Sequence, residues 1–131
     1  MTETTILILA AFVQFLHIGI TGYLMNRTPE GRAWNASPRD TPRPTPPDIH
    51  EGRAERASAN HQQALLLFAV AVFAVMATGS SSALTAACAW AFLLARLLYI
   101  PAYLLGWTPW RSLIWLIGFG ATGLMLLAAL F

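Results

Sequence analysis

Four long apolar stretches, each close to the ~20 residues that carry a helix across a bilayer, dominate the chain and limit what it can become. They run over about residues 5–25, 56–78, 83–105 and 110–131. Of the 131 residues, 56% are hydrophobic and only 11% charged, where a soluble domain has about a quarter charged. A water-soluble protein of this size needs more polar surface, so lipid is the expected solvent. The pattern predicts an all-α membrane protein, a bundle of four transmembrane helices forming one domain over residues 1–131.

The breaks between the spans define the rest of the layout. From Asn26 to about Gly52 the chain holds Arg27, Arg32, Arg39 and Arg43 together with Pro38, Pro42, Pro44, Pro46 and Pro47. Proline removes a backbone donor and obstructs the preceding turn, so this polar stretch is expected to be a loop. Helical spacing resumes at Arg53. The purely apolar part, Ala64 to Thr78, is short for a span, so the second helix must take its first turns from Arg53–Gln63. Gly79, Ser80, Ser81 and Ser82 form an uncharged turn, and Gly106 to Pro109 break the third span from the fourth. Trp107, Trp110 and Trp115 cluster as interfacial aromatic belts do.

Charge sets the expected orientation. Arg27, Arg32, Arg39, Arg43, Arg53 and Arg56 all lie in or beside the first connection, and Arg111 follows the third. The positive-inside rule puts both connections in the cytoplasm and both termini outside. A net charge of +2 gives no sign of a nucleic-acid partner. All eight basic residues are Arg and Ala is abundant, a bias of GC-rich bacterial genomes, so a bacterial inner membrane is the expected location. Cys88 is the one cysteine, which excludes an intrachain disulfide, and its apolar setting suits an inert buried thiol. The first stretch lacks a basic start and a cleavage site, so it reads as a retained span and not a signal peptide.

Two polar constellations interrupt this apolar design. Arg53, Arg56, Asn60 and Gln63 are three, four and three residues apart, which stacks them on one helix face. A polar stripe entering a membrane is costly unless it meets protein or a wet cleft; the plainer reading is a solvated helix start whose arginines snorkel. Arg96, Tyr99 and Tyr103 likewise share a face of the third span. An Arg near the middle of a span costs about 2.5–3.5 kcal/mol. No acidic residue lies inside a span, so Arg96 must find Glu55 at a helix end, backbone carbonyls, tyrosine oxygens, headgroups or an anionic ligand.

Other motifs are weaker. Gly118-Phe119-Gly120-Ala121-Thr122-Gly123 matches the dinucleotide string G-x-G-x-x-G, but it sits within an apolar helix with no strand before it. Small residues that let helices approach closely explain it better. Gln14 and His17 suit an interhelical hydrogen-bonding pair, while His50 and His61 lack the neighbours of a metal site. A proton-coupled exporter needs an ionisable group within the membrane, and of histidines and carboxylates the purely apolar parts of the spans offer only His17.

The string Arg53-Ala54-Glu55-Arg56-Ala57-Ser58-Ala59-Asn60-His61-Gln62-Gln63, running on to Phe68, resembles the R-A-x-x-N-x-x-E signature of the MAPEG family, the membrane-associated proteins of eicosanoid and glutathione metabolism. Arg96, Tyr99 and Tyr103 followed by Arg111 fit its third and fourth helices, and the R-S-L-I-W opening at Arg111 is similar to bacterial members. The resemblance covers essentially the whole chain. It implies a homotrimer with sites between neighbouring subunits and glutathione as cosubstrate. It also implies transferase or peroxidase activity on lipophilic electrophiles, or else a non-catalytic module binding a lipid or other anion at the same place. Carried over, Arg53, Arg56, Asn60, Gln63, Arg96, Tyr99 and Tyr103 would line the site, and Arg111 would stabilise the thiolate. Gln63 stands where the family usually has Glu, and Leu66 lies where it has Pro.

Overall fold

The computed structural model describes residues 2–131 and contains five helices among them. These are α1 (Thr2–Met25), α2 (Pro29–Asn35), α3 (Ile49–Thr78), α4 (Ala83–Leu104) and α5 (Trp110–Leu130). All but α2 are long and apolar enough to cross a membrane. α3 and α4 form the central pair; α1 packs on one side of them and α5 on the other, with no close backbone approach between α1 and α5 among the described residues. Side chains from all four long helices meet in one core, including Ile6, Val13, Phe68, Val75, Phe92 and Met125. Phe68 and Phe92 stack at its centre with ring centroids 3.9 Å apart. Most of the remaining large apolar side chains point outward, as lipid-facing helices require.

Local chemistry sets the helix ends. The expected loop over residues 26–52 in fact contains α2, because Pro29 at the first turn needs no hydrogen-bond partner and Thr28 caps the helix by accepting from Gly31 N at 3.1 Å. α3 likewise begins at Ile49, ahead of the expected Arg53, because Asp48 accepts from Glu51 N at 2.8 Å. At 30 residues α3 is about 45 Å long, so its first turns stand clear of a ~30 Å hydrocarbon layer. Gly79 ends it in the left-handed conformation, with φ +69°, and returns N–H groups to the last carbonyls. Ser82 and Thr85 then form a capping box that starts α4.

Polar ties hold both ends of the bundle. At one end Glu3 is buried, its Oε1 accepting from Thr85 Oγ1 at 2.6 Å and from Ser81 Oγ at 2.9 Å, which fixes the start of α1 to the α3–α4 turn. At the other, the proline-rich strap is clamped by a two-pronged ion pair between Arg43 and the buried Glu51, and by Arg27 with Asp48. The Glu51 carboxylate raises the pKa of Arg43 further, while the Glu51 backbone N–H and the Arg27 cation hold the Asp48 carboxyl below its ordinary value. Cys88 is buried as expected.

Candidate functional site

Arg96 is the largest fully buried side chain, only 1% exposed, and lies mid-helix between α3 and α5. Its Nη1 donates to Asn60 Oδ1 at 3.2 Å. The guanidinium carbon stands 5.2 Å from the Phe92 ring centre and 5.5 Å from that of Tyr99, so two aromatic faces bear on the cation. Nε and Nη2 are buried and meet no acceptor. Among the described residues no carboxylate hydrogen-bonds the guanidinium, and Glu55, the acidic residue considered from sequence, sits on the exposed face of α3. A cation held in a membrane interior with two idle donors is costly, and arrangements of this kind mark binding sites.

Arg96 borders a cavity of about 90 Å³ whose other walls are Asn60, Gln63, Ala64 and Leu67 from α3, Phe92 from α4, and Trp115, Phe119 and Thr122 from α5. Both polar constellations therefore contribute to one place. Asn60, Gln63 and Arg96 meet at the cavity, and Arg56 is exposed one turn beyond Asn60 on the same face of α3. Tyr99, buried beneath Arg96, makes an edge-on contact with Tyr103 at 5.4 Å. Arg111 covers the Tyr103 ring at 4.9 Å. The residues thus continue from the cavity along α4 to the start of α5. Arg53 is directed elsewhere: its Nη1 donates to the Leu104 carbonyl at 2.9 Å, with the guanidinium over Gly106, where φ is +71°.

The α5 wall was not legible as a site from sequence. Trp115, read as part of an interfacial belt, instead lines the cavity and stacks on Phe119 with centroids 4.9 Å apart. The available signal was spacing: Trp115, Phe119 and Thr122 are four and three apart on one face. Gly118 allows close approach, as small residues were expected to. Gly120 and Gly123 do not, since a Cβ at either would meet nothing within 4 Å.

A second polar cluster lies between α1 and α3. Gln14 forms the expected interhelical bond, its Nε2 donating to Ser58 Oγ at 3.3 Å. His17 does not share it but stacks on His61, with ring centroids 5.0 Å apart. His61 Nε2 faces the Ala10 carbonyl at 3.1 Å and so carries the proton as donor. Among the described residues no group of three or more His, Cys, Asp and Glu is placed to hold a metal.

The family model that matches this sequence is that of the MAPEG family, over residues 4–131. No curated protein and no solved structure matches the chain. The match spans nearly the whole bundle, including every residue of the cavity wall, and the chain belongs to the MAPEG family.

Proposed function

We propose that the protein is a glutathione-dependent transferase or peroxidase acting on lipophilic electrophiles that enter from the bilayer. The observation that carries this reading is Arg96, a buried guanidinium with no carboxylate partner among the described residues, on the wall of a cavity that also presents Asn60 and Gln63. Glutathione has two carboxylates, which suit the forked donors of Arg56 and Arg96. Tyr99 and Tyr103 offer hydroxyls along the same path. Arg111 supplies a cation for the sulfur, favouring the thiolate, which is the attacking form. The thiolate sulfur then bonds to the electrophile and displaces its leaving group, or attacks a hydroperoxide oxygen and breaks the O–O bond to give the alcohol and a sulfenic acid. A second glutathione converts the sulfenic acid to the disulfide with release of water.

The size of the cavity supports an assembled site. About 90 Å³ falls below the roughly 300–1,000 Å³ typical of ligand pockets, so this cavity alone is too small for a tripeptide. In addition, Gln62 and Gln63 lie exposed on α3 beyond the turns that stand clear of the hydrocarbon layer, where lipid cannot satisfy their amides. A homotrimer with α3 faces turned to neighbouring copies would cover these amides and complete the cleft. By the distribution of arginines, the proline-rich strap lies in the cytoplasm and both termini outside, and the Arg-only, Ala-rich composition favours a bacterial inner membrane.

A second reading, a non-catalytic module that binds a lipid or other anion at the same residues, draws support from two observations. Gln63 brings no charge for an ammonium group, and Arg53 is already bonded to the Leu104 carbonyl within the protomer. Equilibrium binding of glutathione to the purified oligomer separates the two. Saturable binding at millimolar concentrations, lost in Arg56→Ala and Arg96→Ala, supports the thiol reading. No binding, with a copurified lipid between subunits, supports the module.

A further inference from the structure

We infer that Gly118 is the positioning residue of the cavity: the side chain it lacks leaves the notch on α5 in which the Arg96 guanidinium rests. The inference rests on the proposed role of Arg96 for its functional consequence, but its geometry stands independently. A Cβ built at residue 118 would lie 2.8 Å from Arg96 Nη2, 3.2 Å from Nε and 3.4 Å from Cζ. The first distance is closer than real Cβ atoms come, so any side chain there must displace the guanidinium.

That notch faces the nitrogens that have no protein partner, Nε and Nη2, while Nη1 is anchored on Asn60. Arg96 is therefore held by one edge and fitted by shape at the other. The hydroxyl of Thr122, one turn on from Gly118, donates to the Gly118 carbonyl at 2.9 Å and so leaves that carbonyl satisfied. Arg96 lines the cavity, so displacement from the notch brings the end of the arginine toward the roughly 90 Å³ that an anionic group would use. Gly118 thus sets both where the positive charge sits and how large a head group can meet it. Because the clashing atoms are the far end of a flexible side chain, alanine at 118 is compatible with the fold.

The same helix supplies the controls. Gly120 and Gly123 have open space where a Cβ would go, so Gly120→Ala and Gly123→Ala remove the same helix-weakening residue without touching Arg96. In the purified oligomer, the nitrogen-15 resonance of the Arg96 side chain, identified by its absence in Arg96→Lys, is expected to move in Gly118→Ala and to stay in place in the two controls. Glutathione binding should weaken about tenfold or more in Gly118→Ala, as misplacement of a binding group does, and remain at the parent level in the controls. In an Arg96→Lys background, Gly118→Ala should add nothing, since the fork it displaces is gone. An unmoved Arg96 resonance overturns the inference, as does an effect of Gly118→Ala that persists in full without Arg96. If the resonance moves but the parent protein binds no glutathione, the positioning role of Gly118 stands and the thiol reading fails.

Discussion

Arg96 is a charge that the protein retains at a cost. Among the described residues its one hydrogen-bond partner is a neutral amide, and two of its nitrogens are idle. Replacing a buried, incompletely paired charge with an apolar side chain of similar length is commonly neutral or stabilising. Arg96→Met is therefore expected to leave the melting temperature of the oligomer unchanged or raised while abolishing ligand binding; a large fall in stability would mark Arg96 as structural. His61 is the contrasting residue. His61→Phe keeps the ring against His17 but loses the donor to Ala10, and thermal unfolding should show a loss of about 1 kcal/mol with ligand binding intact. Both polar faces could be read from sequence, because three- and four-residue spacing is visible without coordinates. Partner choice could not be read: nothing local says that Arg53 turns to the Leu104 carbonyl while Arg96, a helix away, takes Asn60.

Among the elements, α3 shows most clearly what sequence reading captured and missed. Its apolar half and its glycine stop were plain, but the proline-dense strap before it concealed the Asp48 cap and the short helix behind Pro29. Proline disfavours helix interiors and tolerates first turns, and counting prolines does not separate these positions. Pro101 shows the same ambiguity, lying inside α4 without ending it. The Asp48 carboxyl titrates below its ordinary value because it accepts from Glu51 N and faces Arg27. Its stabilising contribution is thus complete above the ordinary carboxyl pKa and lost as pH falls through the lowered, folded-state value. Acid unfolding followed by circular dichroism should show this loss in the parent and a flatter acid limb in Asp48→Asn, which can still cap but does not titrate. Gly79→Ala, forced into a left-handed backbone, should cost about 1 kcal/mol in the same measurement.

At the scale of the whole molecule, the four-helix membrane architecture was legible because a bilayer leaves few options for an apolar chain: every backbone group must be bonded within a helix. The α5 side of the cavity was not, since Trp115 and Phe119 look alike whether they meet lipid or line a cleft. The exposed amides of Gln62 and Gln63 on α3 predict contact between copies; Gln62→Cys in a Cys88→Ala background should cross-link protomers on mild oxidation, and a product that stays monomeric would contradict it. The proposed chemistry depends on a cation-lined cleft that takes up a thiol as its thiolate. Ultraviolet absorbance of the thiolate, followed as glutathione is mixed with the purified oligomer, tests this most directly. A saturable thiolate signal that vanishes in Arg96→Met and Arg111→Ala is the predicted result. Glutathione that gives no thiolate absorbance and no saturation at millimolar concentrations would contradict it.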